Sequence, residues 1–219
     1  SIIDGVSVYQ SRQLMGKKLA ERIKVEIADE DIDVVIPIPE SSITSGTQVA
    51  RTLNKDLAYG FVKNRYVGRT FIMPEQQLRK ASVRRKLNPI NDEFKDKKVL
   101  LVDDSIVRGT TMKEIVAMCY KAGAKKVSVA SAAAKVCFPN VYGIDMAAKK
   151  DLIASSRTND EIRDFLGCDN LVYQSLEDLE ASVLELNSDL NKVEKSIFNG
   201  VYPTDISSDY LEKLEVKRG

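Results

Sequence analysis

The stretch Val99-Leu-Leu-Val-Asp-Asp-Ser-Ile-Val-Arg-Gly-Thr-Thr111 carries the strongest structural signal in the chain. Its apolar start, with Lys98 before it, is typical of a buried strand, and residues 111–122 have the pattern of a helix that Gly123 ends. A second strand is predicted over Lys126–Ala133. Strand, helix and strand in about 35 residues form a βαβ unit, which requires a parallel sheet with helices on its faces.

Helical and strand patterns also alternate on both sides of this unit. The capping-box sequence Thr158-Asn-Asp-Glu161 predicts the start of a short helix. The other predicted elements are a helix over 14–27, a strand over 33–39, a helix through 48–53, strands over 59–63 and 171–174, and an amphipathic helix over 175–186. We therefore predict one α/β domain over residues 1–187, with a C-terminal extension over 188–219 packed on the same domain.

Length and composition narrow the class of protein. The chain has 219 residues, of which 43% are hydrophobic and 30% charged, so it fits one globular domain. Its apolar runs fall far short of the roughly 18 residues that a membrane span needs, and no signal segment opens the chain. Three cysteines without a CxxC pair predict neither disulfides nor a zinc site. These features predict a soluble, cytoplasmic protein with no membrane partner.

The absence of histidine limits the chemistry. With no His in the sequence, every Ser-His-Asp, Cys-His or His-metal mechanism is excluded. Catalysis would have to use carboxylates, hydroxyls, cations, backbone amides or a bound metal.

Positive charge is concentrated in one segment. Residues 63–86 contain eight basic residues and one acid, Glu75, although the whole chain has a net charge of +1. Residues 64–89 also lack clean periodicity, which is typical of a lid or a binding loop. A locally basic segment favours an anionic ligand or partner, while the alternative is a solvated charged face.

The loop after the 99–102 strand has the residues of a sugar-phosphate site. Ser105, Thr110 and Thr111, with backbone N–H groups at the helix start, can enclose a phosphate. Carboxylates would repel that anion, so Asp103 and Asp104 indicate vicinal hydroxyls or a divalent cation instead. Phosphate, diol and metal together describe a ribose 5-phosphate. The structural alternative is an acidic turn that caps a helix, and neither a Walker A loop nor a GxGxxG fingerprint is present.

The motif Val102-Asp-Asp-Ser-Ile-Val-Arg-Gly-Thr-Thr111 resembles the 5-phosphoribosyl 1-pyrophosphate (PRPP) motif of type I phosphoribosyltransferases. Further segments resemble the C-terminal half of the amidophosphoribosyltransferase family, also called glutamine PRPP amidotransferases. These segments are Ile32-Asp-Val-Val-Ile-Pro-Ile-Pro-Glu40, Lys63-Asn-Arg-Tyr-Val-Gly-Arg-Thr-Phe-Ile72, Ser82-Val-Arg-Arg-Lys-Leu-Asn88, Phe138-Pro-Asn-Val-Tyr-Gly-Ile-Asp145 and Phe198-Asn-Gly-Val-Tyr202. The resemblance covers nearly the whole chain and implies the type I phosphoribosyltransferase fold.

The resemblance also implies roles for individual residues. Asp103 and Asp104 would hold the ribose hydroxyls and, with Ser41, associate with Mg²⁺. The substrate-binding set comprises a pyrophosphate loop, Glu40, Ser41 and Ser42, and a phosphate cradle, Ser105, Ile106, Val107, Arg108, Gly109, Thr110 and Thr111. The catalytic candidates are the lid residues Lys63, Tyr66, Arg69 and Thr70.

The implied reaction is phosphoribosyl transfer from PRPP to ammonia, giving 5-phosphoribosylamine and pyrophosphate in the first step of de novo purine biosynthesis. Purine nucleotides would be feedback ligands, and the protein would be a homo-oligomer. The family's N-terminal glutaminase domain has no counterpart in these residues, so this chain is expected to use free ammonia, with glutamine-dependent synthesis left to a full-length parent. Three scattered cysteines make an iron–sulphur cluster unexpected, and Cys119 is predicted to be core.

Two alternatives remain open. One is a PRPP-sensing regulator that binds nucleic acid through its basic segment, and the other is an inactive fragment. The lid motif Arg65-Tyr-Val-Gly-Arg-Thr70 is complete, which favours the enzyme. A sensor needs the phosphate cradle but not a lid that is fitted to the leaving group. We therefore do not expect a nucleic-acid partner.

Overall fold

A five-stranded parallel sheet forms the centre of the protein. The computed structural model describes residues 1–64, 87–144, 146 and 148–218. In chain order its elements are β1 (Ile2–Ile3), β2 (Val6–Ser7), α1 (Val8–Glu26), β3 (Val34–Pro37), α2 (Ile43–Leu53), β4 (Asp56–Leu57), β5 (Phe61–Lys63), β6 (Leu87–Pro89), β7 (Lys98–Asp103), α3 (Thr110–Lys121), β8 (Lys126–Ser131), α4 (Asn159–Leu166), β9 (Asn170–Tyr173), α5 (Leu176–Leu184), α6 (Ser196–Asn199) and α7 (Ser208–Arg218). The sheet has the order β4-β3-β7-β8-β9.

The strands of this sheet pair in parallel, and β7 and β8 are its longest members. Val34 of β3 pairs with Val99 of β7, and Lys98 of β7 pairs with Lys126 of β8. The predicted βαβ unit and the α/β class are therefore confirmed.

Alternate residues of β7 face two different cores. Val99 and Leu101 pack in a cluster that includes residues of α3 and α4. Leu100 and Val102 point to the other side, into a cluster with residues of α1 and α2. All four side chains are fully buried, because helices cover both faces of the sheet. Cys119 is also fully buried in the first cluster, as predicted, and burial raises the pKa of its thiol to about 12.

The predicted strand over 59–63 lies outside the central sheet. Phe61–Lys63 does form β5, but it pairs antiparallel with β6 in a separate two-stranded ribbon. The edge strand beside β3 in the central sheet is β4, Asp56–Leu57, which pairs with β3 in parallel. The register pairs Lys63 with Leu87, so the described residues on either side of residues 65–86 lie close together. Residues 65–86 lie outside the described residues.

Charged groups connect the strands at the amino end of the sheet. Asp31 accepts a hydrogen bond from the Lys126 ammonium at 2.5 Å, which lowers the pKa of the carboxyl group. The Asp33 carboxylate accepts the backbone N–H of Lys98 at 2.7 Å. These contacts link the loop before β3 to the first residues of β7 and β8.

The segment that contains α6 packs against residues 137–139. The backbone N–H groups of Cys137 and Phe138 donate to the Ile197 carbonyl at 2.9 and 3.0 Å. The Tyr202 hydroxyl donates to the Pro139 carbonyl at 2.8 Å. In the part of the chain that the structure describes, no helix has the length and hydropathy of a membrane span.

Candidate functional site

The loop between β7 and α3 lies at the carboxyl end of the sheet, where open parallel sheets bind ligands. Asp103 ends β7, and its Oδ1 accepts the backbone N–H of Asp104 at 2.9 Å. The Ser105 hydroxyl donates to Asp104 Oδ1 at 3.3 Å. On the other side of the loop, Ala132 and Ala133 donate their N–H groups to the carbonyls of Asp103 and Asp104, both at 2.9 Å. The two acids are therefore held by hydrogen bonds at the edge of the sheet.

The acid pair has unusual electrostatics. Burial, together with the negative charge of Asp104, raises the pKa of the Asp103 carboxyl group to about 8. A divalent cation bound beside the pair would favour the ionised form of this carboxyl group, and a carboxylate accepts hydrogen bonds from sugar hydroxyls. The pair is therefore suited to a ligand that combines a diol with a divalent metal.

The donor set fits Mg²⁺ that is shared with a substrate. Mg²⁺ usually takes one or two carboxylates, with substrate phosphates and water as its other ligands. Among the described residues, no group of three or more His, Cys, Asp and Glu side chains is arranged to hold a metal by itself. Asp103 and Asp104 are two neighbouring carboxylates that could hold such a shared ion.

The start of α3 can receive an anion. Gly109 precedes the helix with a φ of 73°, in the left-handed region, and no side chain caps the helix N-terminus. The first turn also contains no acid. The free backbone N–H groups and the helix dipole therefore favour a phosphate at this point, with the hydroxyls of Thr110 and Thr111 beside it.

Three side chains of the predicted cradle have other partners. Ile106 is buried in the core cluster on the α3 side of the sheet, and Val107 packs against Val136 and Leu152. The Arg108 guanidinium forms an ion pair with the Asp151 carboxylate at 3.0 Å. Because these side chains contact other parts of the protein, residues 106–108 would bind a ligand through their backbone N–H groups.

The predicted pyrophosphate loop follows the neighbouring strand. The Ile38 N–H donates to the Val102 carbonyl at 2.9 Å, which places residues 40–42 beside the acid pair. Glu40 and Ser41 are exposed, whereas Ser42 is buried and its hydroxyl donates to the Ile38 carbonyl. The peptide bond between Pro39 and Glu40 is cis.

Lys63 is the lid candidate that the structure describes. Its ammonium lies 3.7 Å from the Glu40 carboxylate, so the start of the lid segment is next to the predicted pyrophosphate loop. The other lid candidates, Tyr66, Arg69 and Thr70, lie outside the described residues. The structure also brings Asp151 and Ile153 against the cradle, two residues that no sequence motif marked.

Comparison with known proteins agrees with this geometry. The family model described as the phosphoribosyl transferase domain matches residues 7–138, which include both the acid pair and the cradle. The chain belongs to the phosphoribosyltransferase domain family. The predicted type I phosphoribosyltransferase fold is confirmed, because the sheet and its helices match solved structures of this family.

Curated relatives of this phosphoribosyltransferase domain are amidophosphoribosyltransferases. The chain is 57% identical over 219 residues to the protein of that name from Escherichia coli (strain K12), covering all of this chain and 43% of the relative. It is 52% identical over 218 residues to the one from Saccharomyces cerevisiae, covering 42% of that protein. The predicted resemblance is confirmed, and the chain spans less than half the length of these relatives.

Two solved structures are also similar to this phosphoribosyltransferase domain. One is the glutamine PRPP amidotransferase from B. subtilis complexed with ADP and GMP, with a TM-score of 0.79 and 40% identity over 94% of this chain and 45% of the other. The second is described as the allosteric regulatory enzyme of purine biosynthesis, with a TM-score of 0.81 and 40% identity over 99% of this chain and 46% of the other.

Proposed function

We propose that this domain transfers the phosphoribosyl group of PRPP to ammonia, giving 5-phosphoribosylamine and pyrophosphate in the first step of de novo purine biosynthesis. The observation that carries the proposal is the Asp103–Asp104 pair, followed directly by an uncapped helix N-terminus. That arrangement can bind a diol and a phosphate in one loop, and relatives that are 52–57% identical are named for this reaction.

Substrate binding divides between the two halves of the loop. Asp103 and Asp104 accept hydrogen bonds from the ribose hydroxyls, while the N–H groups of residues 105–111 and the hydroxyls of Ser105, Thr110 and Thr111 hold the 5-phosphate. Mg²⁺ would be held by Asp103 and Asp104, with Ser41 as a third associated residue. When bound, Mg²⁺ supplies positive charge that stabilises the pyrophosphate leaving group.

The transfer forms a bond between the ammonia nitrogen and C1 of ribose and breaks the bond from C1 to the pyrophosphate oxygen. Ammonia is already a nucleophile, so no histidine base is required. Positive charge develops on the sugar and negative charge on the leaving group, and Lys63 and Arg69 are proposed to stabilise the latter. Tyr66 and Thr70 are proposed to close the lid with them and to exclude water, which would otherwise hydrolyse the activated sugar.

Several features of the whole protein belong to the same proposal. A glutaminase domain would deliver ammonia in a longer parent chain, purine nucleotides would inhibit, and the protein would act as a cytoplasmic homo-oligomer. The contacts of Ile197 and Tyr202 with residues 137–139 support the assignment of residues 188–219 as an extension of the domain that spans 1–187. The B. subtilis relative was solved with ADP and GMP, which supports nucleotide binding here.

The proposal is tested by measuring pyrophosphate release from PRPP and Mg²⁺, with either ammonium chloride or glutamine as the nitrogen source, at a pH that supplies free ammonia. We expect turnover of the 219-residue chain with ammonia and none with glutamine. Calorimetry should also show that Asp103→Asn combined with Asp104→Asn abolishes PRPP binding. Unchanged PRPP affinity in that double variant would refute the site assignment.

The same protein sample can distinguish the proposed enzyme from the alternative, a regulator that binds nucleic acid. A regulator would bind PRPP without turnover, and it would also bind nucleic acid with an affinity that falls steeply as salt rises. An enzyme would turn over and show no such binding.

A further inference from the structure

Three consecutive residues of the cradle are contacted by one short segment that is remote in sequence. The Val107 carbonyl accepts the Ile153 N–H at 2.9 Å, and Arg108 pairs with Asp151 at 3.0 Å. A Cβ atom on Gly109 would lie 2.4 Å from Ile153 Cδ1, so the glycine backbone packs directly on that side chain. The segment 151–153 therefore contacts the cradle through a hydrogen bond, an ion pair and a close packing contact.

The contacting segment is itself firmly held. Leu152 and Ile153 are both 1% exposed, so their positions are fixed by the core. Asp151 ends one short 3-10 turn, Lys149–Asp151, and Ile153 begins another, Ile153–Ser155. Asp151 thus directly precedes two residues whose side chains are fully buried.

We propose that Asp151 is a positioning residue for phosphate binding, acting through Arg108 and touching no ligand itself. This inference rests on the proposed function, because it assigns the phosphate to the cradle of residues 105–111. The ion pair holds the Arg108 side chain to one side, where it fixes the backbone between Val107 and Gly109. Backbone N–H groups bind a phosphate well only when they already converge on it, so a loosened loop binds more weakly.

The size of the effect follows from the exposure of the pair. The Arg108 and Asp151 side chains are 28% and 36% exposed, which makes this a partly screened ion pair. Pairs of this kind contribute modestly, so removing Asp151 is expected to weaken phosphate binding about two- to fivefold. The effect should fall on ligand affinity and KM, since Asp151 does not touch the reacting atoms, and kcat should stay unchanged.

The test is calorimetric titration of the 219-residue chain with ribose 5-phosphate. Asp151→Asn should raise the Kd about two- to fivefold, and Asp151→Glu, which retains the charge, should restore the parent value. Asp160→Asn is the matched control, because it removes a surface ion pair to Arg163 at 2.8 Å on α4. The control should leave the Kd unchanged. With PRPP as substrate, Asp151→Asn should raise KM by the same factor at constant kcat.

A double-variant cycle with Arg108→Gln tests the route of the effect. If Asp151 acts through Arg108, Asp151→Asn should change the Kd no further in the Arg108→Gln background. If Asp151→Asn does not fold, the Kd of Arg108→Gln alone tests the same Arg108–Asp151 ion pair. Equal Kd values for Asp151→Asn and the parent, or an equal loss in Asp160→Asn, would overturn the inference and leave the proposed function intact. If the parent chain binds neither ribose 5-phosphate nor PRPP, the proposed function fails, and the inference fails with it.

Discussion

Replacing Gly109 with alanine should destabilise the protein more than the same change at another left-handed glycine. Gly109 has a φ of 73°, and alanine in the left-handed region costs about 1–2 kcal/mol. The new methyl group would also lie 2.4 Å from Ile153 Cδ1, and overpacking of this kind costs about 1–3 kcal/mol. Together these effects predict a loss of about 2–5 kcal/mol in the free energy of unfolding.

Gly167 provides the matched control for this substitution. Its φ is 72°, but a Cβ atom there would meet nothing within 4 Å. Gly167→Ala should therefore cost only the conformational part, about 1–2 kcal/mol. Urea unfolding followed by circular dichroism gives both values, and the difference isolates the contact with Ile153.

A second variant tests the same contact from its other side. Ile153→Val removes the Cδ1 atom and should lower the free energy of unfolding of the parent by about 0.5–1.5 kcal/mol. In the Gly109→Ala background the same change also relieves the close contact, so it should lower the free energy of unfolding by less, or raise it. Equal losses for Gly109→Ala and Gly167→Ala, with additive effects of Ile153→Val, would refute the close packing of the cradle on this side chain.

Three further predictions concern charge, capping and the core. The pKa of Asp103 is raised to about 8 in the folded state, so the folded protein holds this proton more tightly than the unfolded chain does. The resulting contribution to the free energy of unfolding is complete below about pH 4 and is lost as the pH rises to about 8. In Asp103→Asn this part of the pH dependence of the free energy of unfolding should vanish. Thr158→Ala should lower the unfolding free energy by about 1 kcal/mol, because the Thr158 hydroxyl accepts the Glu161 N–H at 3.3 Å at the start of α4. Leu101→Ala, at a fully buried position in the middle of β7, should cost about 2–5 kcal/mol in the same denaturation assay.

The sequence predicts the βαβ unit and the acid pair well because their signals are local. The apolar run of β7 and the capping box at Thr158 each specify an element from a few neighbouring residues. The two-residue strand β4 has no such signal, since only its pairing with β3 makes it a strand. The first helix begins at Val8 and not near Leu14, because Ser7 provides the N-cap that apolar periodicity does not register.

The site is predictable only in part, for a related reason. Asp103 and Asp104 stand out because two acids after an apolar strand are chemically conspicuous. The opposite orientations inside the cradle, where Ile106 enters the core and Arg108 turns to Asp151, depend on partners far away in the chain. No periodicity or motif links Arg108 to Asp151, so only the folded structure identifies that support.

The charged contacts at the amino end of the sheet have a consequence for how this protein could be redesigned. Asp31, Asp33, Lys98 and Lys126 tie the strands together at the rim that faces away from Asp103. Changes to ligand preference would be made at the carboxyl rim, in residues 40–42 and in the loop that follows β7. A library of variants with random residues in those loops keeps the charged contacts at the amino end of the sheet unchanged. New ligand specificities can therefore be screened while the contacts that hold the strands in register stay in place.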